Sequence, residues 1–180
     1  MRIPFAKWMP IQHNFKKGGM ALLPRGLAVH ITDGVKGKLP SLAGIQATFD
    51  VPGTGVSAHF CVAKNGDIAQ YVDLSDVAFG VGGDKIRDDD AHWVSVENIA
   101  LPGQVLTKEQ IRSNARLLAW FTSNWGMPLQ LAGTRDDFGL GYHSMFHRGH
   151  PGCPGPGVIA QRADIINLVA TTGGVLDPGF

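Results

Sequence analysis

The sequence predicts a single α/β domain: a central mixed β-sheet flanked by helices, with a candidate metal site at one edge of the sheet. Three observations carry this expectation. Leu27-Ala28-Val29-His30-Ile31-Thr32 is a short apolar run of the kind a buried strand needs. Asn65-Gly66 separates two strand-like runs, 57–63 and 67–72, and that dipeptide between such runs signals a β-hairpin with both turn residues at positive φ. Thr107 opens a helical pattern that runs to Trp125. Gln110 completes a capping box, and Ile111, Ala115, Leu118, Phe121 and Trp125 form one apolar stripe.

The remaining elements follow in order. Residues 1–25 show little periodicity and read as an irregular leader. Pro40-Ser41 starts a short helix ending at Phe49. The charge run Arg87-Asp88-Asp89-Asp90 reads as a solvated loop. Residues 93–99 alternate as a strand, with Trp93, Ser95 and Glu97 on one face and Val94 and Val96 on the other. Gly126 and Pro128 stop the long helix, and 129–132 form a short strand. A closing helix covers 158–170, with Ile159, Ile165, Ile166 and Val169 facing inward, and 171–180 form a loose tail. No internal repeat or linker divides the chain, so one domain is expected over 1–180 with its core at about 26–170.

Bulk properties bound the function. A chain of 180 residues can bury a core, and 44% apolar against 17% charged residues describes a globular protein rather than a disordered one. A net charge of +1 argues against a nucleic-acid surface, which needs a basic face. No apolar run approaches the roughly 20 residues that span a bilayer, so no membrane insertion is expected. Cys61 and Cys153 allow at most one disulfide. Met1-Arg2-Ile3-Pro4-Phe5 lacks the apolar segment of a signal peptide.

The chemistry concentrates late in the chain. His143 sits in Gly141-Tyr142-His143-Ser144, and Cys153 in a rigid Pro- and Gly-rich loop, His150-Pro151-Gly152-Cys153-Pro154-Gly155. His30, near the end of its apolar strand, is a third candidate ligand. Two imidazoles and a thiolate leave one tetrahedral position open, as in catalytic rather than structural zinc sites. His147 and His150 compete with His143 for the same role. Glu97, flanked by Val96 and Ile99, is a candidate general base, because desolvation raises a carboxylate toward the useful range. His59 is a substrate contact, a supporting residue or a core histidine. Thr32 marks the end of the first strand, where sites collect, and is a candidate substrate contact. A different chemistry would use Cys61 as nucleophile with His59 or His92 as base.

Five segments in order resemble the type 2 zinc-dependent N-acetylmuramoyl-L-alanine amidases, a family that includes phage lysozyme-like amidases and peptidoglycan recognition proteins. These are Leu27 to Thr32, Val56-Ser57-Ala58-His59-Phe60, Asn65 to Val72, Trp93-Val94-Ser95-Val96-Glu97, and the closing Gly-Tyr-His with Cys-Pro-Gly. The resemblance covers about 26–170. It implies Zn2+ held by His30, His143 and Cys153, with Glu97 as general base. The tyrosine that phage members place before the strand histidine is Ala58 here. Pro151 stands where the family has Lys or Thr two residues before the last ligand, and His150 beside it is the implied replacement as oxyanion donor. Gly80 stands where recycling amidases carry a histidine.

The resemblance therefore implies a hydrolase that cuts the amide between N-acetylmuramic acid and L-alanine in peptidoglycan or muropeptides, through zinc-activated water. A non-catalytic peptidoglycan-binding domain is the alternative reading. Glycan and peptide must both fit, so an open groove walled by 79–83 and 133–141 is expected. A monomer acting on the cell wall is expected, exported by a phage holin as an endolysin or by a secretion system as an effector toxin. The second route implies an immunity or delivery partner.

Overall fold

A computed structural model describes residues 1–34, 37–82, 88–146 and 152–173. Its centre is a six-stranded mixed sheet in the order β1 (Lys7–Trp8), β5 (Ile68–Gln70), β4 (Phe60–Val62), β7 (Trp93–Asn98), β3 (Gly26–Val29), β8 (Gly139–Tyr142). Only β5 against β4 is antiparallel; every other pairing is parallel. A small second sheet pairs β2 (Phe15–Gly19) with β6 (Asp76–Ala78).

Side-chain alternation sorts the sheet into two faces. Leu27, Val29, Phe60, Val62, Val94, Val96 and Leu140 point to one face. There they pack against α3 (Lys108–Trp125) and α4 (Pro156–Thr172). The other face carries Cys61, Ala69 and Tyr71, packed on Ile45 and Phe49 of α1 (Leu42–Phe49). Strand β3 is buried along its whole length, as a strand covered on both faces must be. Gly26 permits its tight pairing with β8, since a Cβ there would overlap the carbonyl of Gly139 and the Trp93 ring.

The strongest local signals fold as expected. Ser41 caps α1 through the Gly44 N–H, and Thr107 with Gln110 forms the capping box of α3. The Asn65-Gly66 hairpin forms, but β4 and β5 register Val62 opposite Ile68, the Ala63 N–H donates to the Asp67 carbonyl at 2.9 Å, and the three residues 64–66 close the loop with only Gly66 (φ 90°) left-handed. That is the geometry of a three-residue loop ending in a left-handed residue, rather than the two-residue turn the dipeptide suggests.

Four expectations are corrected. The 1–25 leader is built into the fold. Strand β1 extends the sheet, Ile3 is buried, and Gln70 accepts the Ile3 N–H at 2.9 Å while donating to the Met1 carbonyl at 3.1 Å. A two-residue strand held by a distant glutamine leaves no periodicity to read. The acidic run opens a helical turn, α2 (Asp88–His92), in which Asp90 is buried. Asp90 Oδ1 accepts the N–H groups of Gly80, Val81 and Gly82 at 3.0, 2.7 and 2.9 Å. The stretch 129–132 makes a single bridge, Leu131 to Leu140. In α4 the buried stripe is Val158, Arg162, Ile165 and Val169, so Ile159 and Ile166 flank the core instead of leading it. Residues 174–180 of the expected tail lie outside the described residues. Among the described residues no helix is long and apolar enough to cross a membrane.

Gln110 joins the two layers. Its Oε1 accepts the Thr107 N–H at 3.0 Å, and its Nε2 donates to the Val62 and Ile99 carbonyls at 3.2 and 3.1 Å. Gln110→Ala removes the capping box, takes the side-chain donor from the buried Ile99 carbonyl, and leaves the Val62 carbonyl with the Ile99 N–H alone. It should lower the unfolding free energy by about 2–4 kcal/mol, as read by urea denaturation; a loss under about 1 kcal/mol would contradict this role.

Candidate metal centre

The parallel strands deliver the site to one rim of the sheet. In β3, Val29 lies opposite Val96 of β7 and Tyr142 of β8. The next residue along each strand direction is His30, Glu97 and His143. His30 is fixed by its own backbone: its N–H donates to the Val96 carbonyl at 2.9 Å, and its carbonyl accepts the Asn98 N–H at 3.0 Å. The Asn98 side chain donates to that carbonyl again at 3.2 Å, and Asn114 of α3 donates to Asn98 Oδ1 at 2.7 Å. A buried polar chain thus runs from α3 to the backbone of His30.

His143 begins a 3-10 turn, His143–Met145, immediately after β8. Cys153 reaches the site from the last loop, just before a cis bond to Pro154. The Ile31 N–H donates to Cys153 Sγ at 3.5 Å, and the Ser144 N–H donates to the Cys153 carbonyl at 3.0 Å. The His30 and His143 ring centroids are 4.5 Å apart.

The ligand atoms of His30, His143 and Cys153 all lie within 4.8 Å of one another. At ligand distances of about 2.0–2.3 Å, tetrahedral zinc spaces its donors about 3.3–3.8 Å apart, so a closure of roughly an ångström completes the cage. The donor set, two imidazoles and a thiol, is the soft and borderline mixture that zinc prefers. His30 Nε2 is buried with no hydrogen-bond partner, and so is Glu97 Oε2. Orphaned buried polar atoms are costly, and two at one point suit an ion and its water. The residues fit zinc.

Without an ion, burial sets the charge state. Desolvation holds His30 well below its ordinary pKa, and the neighbouring His143 adds to the effect. Burial pushes the Cys153 thiol up to about 12, with the Glu97 carboxylate adding repulsion. Burial raises Glu97 to about 8. Glu97 Oε1 lies 3.9 Å from His30 Nδ1.

Other expected site residues fall elsewhere. His59 is fully buried: Nδ1 accepts the Ser95 N–H at 3.2 Å and Nε2 faces the Asp76 carbonyl at 3.1 Å. Both nitrogens are spent on backbone, so it is a core histidine, and burial holds its pKa at about 4. Cys61 has no exposed surface and burial raises its pKa far above the ordinary thiol value, which removes it as a nucleophile. Thr32 follows His30 on the same face, with its Oγ1 buried and unpartnered. His147, His150 and Pro151 lie outside the described residues. Gly80 packs directly on Ser95, so a Cβ there would overlap the Ser95 side chain. The glycine at that position therefore answers to packing. A cavity of about 800 Å³ is lined by Leu39, Leu42, Lys64, Asp67, Ile99 and Arg116 among others, and by none of His30, Glu97, His143 and Cys153. Neither 79–82 nor 133–141 lines it, so it lies away from the walls expected from the sequence.

Residues 20–156, which include all four rim residues, match the N-acetylmuramoyl-L-alanine amidase family. Among solved structures, a selenomethionine derivative of AmpD superposes with a TM-score of 0.70 at 17% identity, over 92% of this chain and 96% of that one. The hydrolase AmiA of Staphylococcus aureus, in complex with its ligand, gives 0.65 at 16% identity, over 97% and 88%. The endolysin N-acetylmuramoyl-L-alanine amidase LysCS from Clostridium intestinale gives 0.62 at 15% identity, over 96% and 97%. At these identities the likeness establishes the fold. No curated protein sequence matches the chain.

A protonated thiol must ionise to ligate a metal, and a bound dication would also lower the raised pKa of Glu97, so zinc binding should release between one and two protons near pH 7, and affinity should rise with pH. Calorimetric titration in two buffers of different ionisation enthalpy reads the protons directly; above about pH 9, where Glu97 is already ionised, one proton should still leave, and zinc uptake without it would contradict ligation by Cys153.

Proposed function

Because the chain belongs to the N-acetylmuramoyl-L-alanine amidase family, we propose that it hydrolyses the amide joining the lactyl group of N-acetylmuramic acid to the first L-alanine of the stem peptide, with zinc held by His30, His143 and Cys153. The observation that carries this reading is the convergence of those three donors beside an unpartnered carboxylate oxygen of Glu97. Zinc bound there would polarise the amide carbonyl and lower the pKa of a water from about 15.7 toward about 7.

The chain's own residues do the rest. Glu97 stands on the same face as His30 and takes the proton of the attacking water. Since the acid form of Glu97 is held by burial, it can return that proton to the leaving amine. His150 donates to the oxygen that gains charge at the carbonyl, in the role that the resemblance implies. Thr32 turns its unpartnered hydroxyl toward the substrate. His59 holds the Ser95 backbone and touches nothing that reacts.

Glu97→Gln keeps the shape and removes the base. It should lower kcat by about 10²–10⁴-fold while zinc content, by elemental analysis, stays at the wild-type value. His150→Ala should lower kcat about a hundredfold with little change in KM. The decisive assay digests purified peptidoglycan and identifies the products by mass. Release of free stem peptides with intact glycan chains, abolished by a chelator and restored by zinc, is the expected result. Undiminished cleavage by metal-free protein would overturn the zinc mechanism, and binding without cleavage would leave a recognition domain.

A further inference from the structure

We propose that Arg162 is a positioning residue that ties the strand carrying His143 to the helix behind Cys153, and so sets the affinity of the site for its metal. The inference rests on reading His30, His143 and Cys153 as a zinc site. Arg162 lies in the second turn of α4 and is only 6% exposed. Its Nη1 donates to the carbonyls of Ala132 and Leu140, both at 2.7 Å. Its Nε donates to the Ile159 carbonyl at 3.1 Å. The guanidinium plane lies over the Tyr142 ring, with Cζ 4.4 Å from the centroid.

Packing alone does not account for an arginine here. Arg162 occupies one place of a buried stripe otherwise made of Val158, Ile165 and Val169. Burying a guanidinium against carbonyls is expensive, and an apolar side chain of similar volume would cost less. The guanidinium does one thing a methionine would not: from α4 its Nη1 donates to the carbonyls of Ala132 and Leu140 at once, while Nε is anchored on its own helix. Leu140 and Tyr142 belong to β8, and His143 follows that strand directly. Helix α4 starts at Pro156, three residues after Cys153. The Ser144 N–H to Cys153 carbonyl bond is the other described tie between the two ligand segments. With these bonds in place, imidazole and thiol keep a fixed spacing before the ion arrives. Without them, the ion must order the two segments itself.

Linkage separates this role from plain stabilisation. A ligand that binds only the native state raises stability according to its affinity. A residue that merely holds the fold lowers the melting temperature equally with and without zinc. A residue that positions ligands also shrinks the increment zinc provides. The experiment therefore measures melting temperature with and without saturating zinc, zinc affinity by competition with a chromophoric chelator, and the absorption bands of the cobalt(II) protein, for wild type, Arg162→Met and Arg162→Lys.

The expected result is a ten- to hundredfold loss of zinc affinity in Arg162→Met, a smaller zinc increment in melting temperature, and altered cobalt bands, with partial recovery in Arg162→Lys. An undiminished zinc increment with wild-type cobalt bands overturns the proposal. Should Arg162→Met fail to fold, Arg162→Lys decides on the same readings, because lysine keeps the charge and one donor nitrogen but loses the second nitrogen on the Ile159 carbonyl and the planar group over the Tyr142 ring. A wild-type protein that gains nothing from zinc overturns the metal reading itself, and this inference with it.

Discussion

The site depends on one constraint, the register of β3 between β7 and β8. Val29 pairs with Val96 on one side and with Tyr142 on the other, and the residues that follow become the rim of the site. A slip of one residue in either pairing would turn His30 to the opposite face, because side chains alternate. The apolar pattern forbids that slip. Leu27 and Val29 are committed to the α3 and α4 face, and Val94 and Val96 beside them to the same face. Close approach forbids it again, since the glycine at position 26 meets the Gly139 carbonyl with no room for a side chain. Placement of the candidate ligands His30 and His143 is thus a by-product of how the core packs.

A second layer converts placement into orientation. The chain Gln110, Asn114, Asn98 lies on the helix face of the sheet and ends on the His30 carbonyl. Buried amides of this kind are costly unless fully satisfied, and once satisfied they specify a unique arrangement. The site face is built oppositely, with His30 Nε2, Thr32 Oγ1 and Glu97 Oε2 buried and unpartnered. The fold spends its hydrogen bonds behind the site and withholds them in front. That asymmetry is what a centre needs if a ligand from outside is to complete it.

The sequence showed the parts of this whose signals are local. The Ser41 cap, the Thr107–Gln110 capping box, the apolar run read as strand 27–32 and the alternation at 93–99 each act within a few residues; the helix starts form as read and the strands form as Gly26–Val29 and Trp93–Asn98. The candidate ligands were legible because His and Cys at element boundaries among Gly and Pro have few other uses. What was hidden is non-local. Strand β1 exists only because β5 and Gln70 are there to receive it. Asp90 looks like a solvated charge until its three backbone donors, eight to ten residues upstream, are placed around it. His59 and Arg162 sit at positions where periodicity expects apolar residues, and only the structure shows which carbonyls and amides they serve. A polar residue inside an otherwise apolar stripe was the available signal for both.

The two cysteines show how environment decides chemistry. Both thiols are pushed up by burial, and both feel Glu97 as an added repulsion. Cys61 sits inside the sheet opposite Glu97, enclosed on every side, and nothing can reach it. Cys153 is in a loop, half-buried, with its sulfur accepting the Ile31 N–H and standing beside two imidazoles. In the metal-free site, Glu97 and Cys153 tend to their neutral acid forms and His30 to its neutral base form, so the centre avoids burying net charge. A dication reverses the balance: it favours thiolate, and its field lowers the pKa of any nearby carboxyl group. On the proposed reading Glu97 would then move from about 8 toward the range where a carboxylate accepts a proton at neutral pH and gives it back within one turnover. The burial that favours neutral groups at this point is the same burial that would tune Glu97 as the proposed base beside an ion.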